Sequence, residues 1–412
     1  MMTQIHKQWP KEDPNDVAIK LLLFLVSPLF GFIYSLKRMD TRSSFIVYFL
    51  FALTFGLAFT VASATFQGLS LDGSFYRWSF EQISNWGRSD FLLNLRDFFS
   101  FESTTKDFGF EILSFAVSRF TNNYHILFFF LALFFSFFQL KSLRFLTSNS
   151  SFTSSFYCLV LMGFFTWNSI FNINGCRFWT SAWIIVYCYF QVFVNGNKRF
   201  FFLALVTPII HASYWAVLAL FIIAYACSFA YKPSSLILSL VFILSFVLSS
   251  FSVDFIQQFS DRLPEFLNPS VDFYTDEQNL ERLNIGGGVH SLFKTLVRIT
   301  ISVLTIILII NRDIISNSSS KSLFIGLLVL HSFANFTMGI PSMGNRFIVL
   351  TYPLISYIWL DIIKQVKYKR IIYAFPVIWV AEIYDMGRLY LMVTDYKFYL
   401  LSPFYTLFNA II

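Results

Sequence analysis

Long apolar runs separated by short basic loops constrain this chain more than any other feature. A helix that crosses a bilayer needs about 20 apolar residues, and only lipid can cover so many of them. Charged residues make up 13% of the chain, whereas soluble domains carry about 25%. The runs lack the alternation of barrel strands, so we expect helices. They lie at about 17–36, 44–64, 124–140, 152–172, 178–194, 200–211, 213–230, 234–252, 293–311, 322–340, 346–363, 371–385 and 397–412.

The sequence predicts an all-α polytopic integral membrane protein, a bundle of about 11–13 transmembrane helices. No internal repeat, linker or charged tail divides the chain, so we expect one membrane domain over residues 1–412. Two long segments interrupt the apolar runs, at 65–123 and 253–292. Loops of this length usually carry function. The first one could also hold an amphipathic helix on the membrane surface.

The positions of Lys and Arg predict the orientation. Basic loops face the cytoplasm, and the clusters occupy every second loop only if 200–230 is broken into two short segments near His211. That pattern places both long segments on the outer side. The run 17–36 has two interpretations, because Pro28 in its middle also allows a re-entrant segment. The basic clusters are Lys37, Arg38 and Arg42; Lys141 and Arg144; Lys198 and Arg199; Lys232; Arg312 and Lys321; and Lys364, Lys367, Lys369 and Arg370.

Three residues at the outer ends of apolar runs are candidates for chemistry, because membrane segments rarely tolerate such groups without a partner. Arg177 precedes the run 178–194, Arg346 begins the run 346–363, and His211 lies at a break on the same side. A guanidinium offers a fork of donors that suits phosphate oxygens, so two of them would suit a pyrophosphate. The simpler alternatives are snorkelling or interfacial arginines and a hydrogen-bonded core histidine.

The first long segment holds four further candidates. Glu111 and Arg119 are eight residues apart, about two helical turns, so they share a face if this stretch is helical. The carboxylate of Glu111 could act as a general base or belong to a surface ion pair. Asp72 and Tyr76 lie earlier, in an acidic and aromatic stretch.

The second long segment holds Arg282 and His290 on either side of three consecutive glycines. Such a run permits a hinge or lid, but it lacks the Lys and Ser or Thr of a phosphate-binding loop. The chain also lacks the GxSxG, HExxH and CxxC patterns, and its net charge of +7 comes from clusters between apolar runs, so nucleic acid is not an expected partner. Acidic residues lie almost entirely in loops, which argues against an ion-coupled transporter.

Residues 171 to about 225 resemble the central signature of the EpsG-like membrane proteins, a group that includes many Wzy-type O-antigen and capsular polysaccharide polymerases. In that family an Arg opens a helix, a basic loop follows, and an apolar helix then ends in a His before small residues. The matching positions are Arg177, Lys198-Arg199 and Ile210-His211-Ala212-Ser213. Phe178 departs from the pattern, because Gln is common there. Weaker resemblances are carried by Asp72 with Tyr76, by Phe110-Glu111 and by Arg346.

The resemblance implies a GT-C-like fold and a polymerase of undecaprenyl-pyrophosphate-linked oligosaccharides at the outer face of a bacterial cytoplasmic membrane. Arg177 and Arg346 would then stabilise the departing pyrophosphate with no metal or other cofactor. Glu111 and His211 would be the candidate bases. Membrane lipid, a chain-length regulator protein and a flippase are the other implied partners. The expected substrate-binding residues are Asp72, Tyr76, Arg119, Arg282 and His290, with Trp78, Trp86, Phe273 and Tyr274 stacking on sugars.

Two other classes of protein stay open at this point. One is a flippase or exporter of lipid-linked glycans, which needs cations at mid-depth or on both faces of the bilayer. The other is a membrane sugar acyltransferase, which needs a His with a nearby acid and a tunnel for the acyl donor. The candidate charges cluster at one water interface, which favours a one-sided polymerase.

Overall fold

The computed structural model describes residues 8–61, 72–100, 102, 106–149, 154–260, 289–363 and 366–411. Every regular element in these ranges is a helix, which confirms the predicted all-α class. The α-helices are α1 Pro14–Val26, α2 Pro28–Ser35, α3 Arg42–Ala58, α4 Asp72–Ile83, α5 Arg88–Phe99, α6 Gly109–Ser118, α7 Tyr124–Asn149, α8 Ser154–Thr166, α9 Cys176–Tyr189, α10 Phe200–Ala204, α11 Thr207–Ile210, α12 Tyr214–Ser228, α13 Tyr231–Leu248, α14 Ser252–Ser260, α15 Val289–Ile310, α16 Ser318–Phe336, α17 Pro341–Phe347, α18 Thr351–Ile362, α19 Phe375–Val393, α20 Tyr396–Leu400 and α21 Pro403–Ile411.

Four helical stretches in the described residues are long and apolar enough to cross a membrane, which agrees with a polytopic membrane protein. Several of the other predicted runs form shorter helices joined by turns or 3-10 segments. Helix breaks at membrane depth are tolerated where protein covers the freed backbone groups. Helix length alone therefore does not set the number of spans, predicted as about 11–13. The four stretches are Tyr124–Ser148, Tyr231–Phe255, Ser291–Ile310 and Ser318–Gly339.

The first apolar run forms two helices, α1 and α2, that pack against each other. The chain is extended at Ser27, between α1 and α2. A Cβ added at Gly31 would lie 2.6 Å from the Cα of Phe24. In one continuous helix these residues would be about 10 Å apart along the axis, so the chain folds back on itself.

The break predicted near His211 is also present. Helix α11, which follows α10, ends at Ile210. His211 has extended backbone angles (φ −153°, ψ 118°), and α12 begins at Tyr214. The described part of the first long segment forms α4, α5 and α6, and none of the residues of α5 is buried. This is the placement expected of a surface helix. The second long segment, 253–292, lies mostly outside the described residues.

Helix α9 positions the candidate site. Most of its residues are buried, and it packs against α7, α10 and α11. The 3-10 segment Ile170–Gly175 leads into its first turn, which contains Arg177. Asn168 anchors that turn, because its amide donates to the carbonyl of Trp179 at 3.2 Å. The Arg177 end of α9 is the end that the basic clusters predict to face outward.

Candidate functional site

Arg177 is held by two side chains that come from other helical segments. Its Nη1 donates to Oδ1 of Asp107 at 2.7 Å, and its Nε donates to the hydroxyl of Tyr76 at 3.2 Å. The Asp107 side chain is 6% exposed and that of Arg177 is 29% exposed. A guanidinium has five N–H donors, so these two bonds leave three for a ligand. The arginine is therefore fixed in direction and still partly open.

Asp107 is positioned by the backbone at the break near His211. The amide of Phe108 donates to the carbonyl of Ile209 at 2.9 Å, and the amide of Ala212 approaches Oδ2 of Asp107 at 3.4 Å. Gly109 permits this contact, because a Cβ there would lie 2.9 Å from the Cα of Ile210. The start of α6 is thus docked on the end of α11. Burial raises the pKa of Asp107, and the guanidinium beside it opposes that shift.

Tyr76 is positioned by the first turn of α4. The amide of Gly73 donates to Oδ1 of Asn174 at 2.9 Å, which ties α4 to the segment just before α9. The ring of Tyr76 is buried against Phe110, with 4.8 Å between the ring centroids. Burial raises the pKa of Tyr76, so the hydroxyl stays protonated while it accepts from Arg177. Asp72 lies at the exposed start of the same helix.

Phe178 lies between Arg346 and His211 and brings both close to Arg177. The guanidinium carbon of Arg346 is 5.7 Å from the centroid of the Phe178 ring, and the His211 ring is 5.4 Å from it in an edge-on arrangement. Both arginines act electrostatically on His211. The Nδ1 of His211 is 2.8 Å from the hydroxyl of Ser213, so its Nε2 is the nitrogen that can meet a substrate. His211 and Arg346 therefore both lie against Phe178, the residue that follows Arg177 on α9.

Glu111 lies in the first turn of α6, and Asp107 lies two residues before that helix begins. The Oε2 of Glu111 is buried and has no hydrogen-bond partner within the described residues. Burial raises the pKa of Glu111 to about 7, and the charge of Asp107 acts in the same direction. The ten residues of α6 span about 15 Å, so this helix is too short to cross a bilayer. A carboxyl group with such a pKa can exchange protons at physiological pH.

An apolar cavity of about 620 Å³ opens beside Arg177. It lies between α6, α7, α9 and the α10–α11 pair, and Phe110, Leu131 and Ile184 are among its lining residues. Among the described residues that line it, Arg177 is the single charged one. The apolar cavity thus carries a cation in its wall, which is the arrangement that an apolar chain with an anionic head group requires.

The other predicted site residues lie elsewhere or cannot be placed. Arg119 is exposed at the end of α6, where it donates to the carbonyl of Ser84 at 3.0 Å. It is eight residues from Glu111, or about 12 Å along the helix. The structure does not bring it to the cluster of Arg177, His211, Arg346 and the side chains that contact them. Arg282, Phe273 and Tyr274 lie outside the described residues, as does the side chain of His290.

Arg346 lies on a short helix. Proline and glycine before it indicate a tight turn, but Pro341–Phe347 is a short helix and Arg346 lies in its last turn. Pro341 is at the first helical position, where its fixed φ is favourable and its missing N–H costs nothing. Gly344 permits close packing instead of a turn, because a Cβ there would lie 2.7 Å from the Cα of Met338.

Sequence reasoning missed Asp107, which holds Arg177. Its spacing of four residues from Glu111 predicts two acids on one face of a helix, but Asp107 lies before α6 begins, so the sequence carried no valid signal for its role. It also missed the cavity, because lining residues from four separate segments carry no common motif. Phe178 was noticed only as a departure from the family pattern, whereas in the structure it contacts both His211 and Arg346.

Together these features define an all-helical, polytopic membrane protein with a cationic site in the wall of an apolar cavity. The chain belongs to the EpsG family, whose profile matches residues 47–398. This match covers most of the chain and every residue of the cluster, and it indicates a polysaccharide polymerase-like role. No curated protein and no solved structure matches the chain.

Proposed function

We propose that this protein polymerises undecaprenyl-pyrophosphate-linked oligosaccharide repeat units into O-antigen, capsule or exopolysaccharide at the outer face of a bacterial cytoplasmic membrane. The observation that carries the proposal is the position of Arg177, which is the one charged residue among the described residues that line an otherwise apolar cavity. A lipid-linked sugar has the same two parts, an apolar tail and an anionic diphosphate. Membership of the EpsG family supports the same reaction class.

The polyprenyl tail would lie in the cavity. Phe134 and Phe137 on α7 line it and are more than two-fifths exposed, so the cavity borders on the surface that lipid covers. A tail could therefore enter sideways from the bilayer without crossing water. Burying the chain in this cavity would bring its head group to Arg177.

The diphosphate would bind the donors of Arg177 that Asp107 and Tyr76 leave open. Arg346 would add a second guanidinium from the other side of Phe178. Charge develops on the diphosphate as its bond to the sugar breaks, and fixed cations stabilise that charge without reorganising. Asp107 serves as a positioning residue in this scheme, because it aims the guanidinium.

The acceptor hydroxyl would attack the anomeric carbon of the donor sugar. One glycosidic bond forms, the bond from that carbon to the diphosphate oxygen breaks, and the hydroxyl proton passes to a base. Glu111 suits this role because its pKa is raised to about 7 by burial, close to the pH at which a general base is most effective. His211 is the second candidate, through Nε2.

Two substitutions test the assignment of Arg177 and Arg346 as a clamp, the pair of arginines that would hold the diphosphate. Arg177→Ala and Arg346→Ala should abolish long-chain polymer and leave the single-repeat glycolipid intact, as seen in the ladder of chain lengths on a gel. Arg119→Ala is the matched control, because this arginine is exposed and outside the cluster. A wild-type ladder from both clamp variants would defeat the assignment. Polymerisation by the purified protein in detergent would separate a polymerase from a flippase, which needs two sides of a membrane.

A bulky side chain in the cavity tests the binding of the tail. Ala116 lines the cavity and is exposed, so Ala116→Trp should fold normally and fill space that the tail needs. We expect a higher KM for the lipid-linked substrate. Ala226→Trp is the matched control, because Ala226 is also exposed on an apolar helix and does not line the cavity. Equal kinetics for both variants would contradict this placement of the tail.

A further inference from the structure

A second apolar groove lies further along α7 and shares Phe137 with the cavity beside Arg177. It has a volume of about 340 Å³ and runs between the first turns of α3 and the later turns of α7. Phe45, Phe49 and Leu50 line it on α3, and Phe137 and Leu140 line it on α7. The proposed polymerase reaction uses none of the groups at its basic end.

Three cations surround one end of this groove, and no carboxylate is among its lining residues. Arg42 and Lys141 are exposed, and neither makes an ion pair within the described residues. Arg144 is held in place, because its guanidinium carbon lies 3.7 Å from the centroid of the Trp9 ring and its Nη1 donates to the carbonyl of Asp40. The end of the groove is thus strongly positive. Its two arginines offer planar guanidinium donors, and its lysine offers a compact ammonium group.

The dimensions of the groove fit within one leaflet of a bilayer. On α3 its lining residues extend from Arg42 to Leu50, eight residues or about 12 Å of helix. On α7 they extend from Phe137 to Arg144, seven residues or about 10 Å. Half of the hydrocarbon core of a bilayer is about 15 Å thick. The basic residues occupy one end of these lengths, so the apolar part, residues 45–50 and 137–140, covers about 5–8 Å next to the level of the head groups.

We propose that this groove binds an anionic diacyl phospholipid, such as phosphatidylglycerol, from the cytoplasmic leaflet. The basic clusters predict that Arg42, Lys141 and Arg144 face the cytoplasm. A phosphodiester would lie among these three cations. The acyl chains would lie along the phenylalanines. Basic sites beside transmembrane helices on this side are suited to anionic head groups.

Lipid binding to the purified full-length protein in detergent tests the proposal. Native mass spectrometry would follow titrations with phosphatidylglycerol and with phosphatidylcholine of the same acyl chains. The wild type should prefer phosphatidylglycerol. Arg42→Gln combined with Lys141→Gln should weaken phosphatidylglycerol binding about 30-fold, since each cation contributes about 1 kcal/mol near an anionic head group. Binding of phosphatidylcholine should not change.

The matched control is Lys198→Gln combined with Arg199→Gln. It makes the same change in charge at two exposed residues of another predicted cytoplasmic loop, and neither residue lines the groove. The control should bind phosphatidylglycerol like the wild type. Equal affinity of the wild type for both lipids, or an equal loss in both double variants, would overturn the proposal. So would displacement of phosphatidylglycerol from this groove by undecaprenyl pyrophosphate.

A measurement on the wild type alone guards against misfolded variants. Exposed charges are screened by salt, with a Debye length of about 10 Å at 0.1 M and about 3 Å at 1 M. Raising the salt concentration across this range should weaken the binding of phosphatidylglycerol and leave that of phosphatidylcholine unchanged. Salt-independent binding of phosphatidylglycerol would show that the three cations do not hold the head group.

Discussion

Asp107→Asn should slow polymerisation without removing any group that touches the substrate. The carboxylate receives a charged hydrogen bond from Arg177 at 2.7 Å, and its side chain is 6% exposed. Hydrogen bonds to charged groups contribute about 1.5–3 kcal/mol. Asparagine keeps the shape but loses the charge, and its amide nitrogen would face the amide of Ala212. If that energy aims the guanidinium at the diphosphate, its loss lowers the rate about 10- to 100-fold.

The assay is polymerisation by purified protein in detergent on a lipid-linked repeat unit, with rates compared among the wild type and four variants. Asp97→Asn is the matched control, because Asp97 pairs with Arg96 at 3.1 Å on the exposed surface of α5 and should tolerate the change. The double variant Asp107→Asn with Arg177→Ala should be no slower than Arg177→Ala alone, since Asp107 acts through that arginine. A wild-type rate for Asp107→Asn, or full additivity in the double variant, would refute this reasoning.

Four further predictions concern the candidate site and its packing. The rate of the wild type should rise between about pH 6 and pH 8, because burial raises the pKa of Glu111 to about 7, whereas Glu111→Gln should be slow and insensitive to pH. The same raised pKa means that the folded state holds a proton which the unfolded state loses between pH 4.5 and about 7. Wild-type stability should therefore fall as pH rises through this range. A series of melting curves should show this fall in the wild type and not in Glu111→Gln. His211→Ala should impair the reaction at normal expression level, and an unchanged chain-length ladder would leave His211 with a packing role only. Gly109→Val should lower the melting temperature through overpacking of about 1–3 kcal/mol against Ile210, whereas Gly387→Val, with nothing within 4 Å of its added Cβ, should not.

The class of fold could be predicted because lipid imposes a simple rule on sequence. Apolar runs must be helical, and basic loops report their direction. The same rule located the break at His211, since the clusters alternate only with that break. The proline at position 28 marked the hairpin of α1 and α2. Helix bounds could not be predicted in this way, because 3-10 segments such as Ile348–Leu350 divide an apolar run without changing its composition.

The residues of the site were easier to find than their arrangement. Arg177, His211 and Arg346 stand out because charged or titratable groups are rare in apolar surroundings. Asp107 is an ordinary acid in sequence and acquires its role only when the start of α6 docks on residues more than a hundred positions away. Arg119 shows the opposite case, because the sequence predicted a substrate-binding role for it and the structure places it outside the cluster. Its spacing from Glu111 is right for one helix face, but that spacing also carries it beyond the cluster.

A structure of the protein with undecaprenyl pyrophosphate bound would test the central claim most directly. Arg177 should donate to a diphosphate oxygen at about 3 Å. The tail should lie in the apolar cavity between α6, α7 and α9. A diphosphate bound away from Arg177, with the tail outside that cavity, would contradict the account.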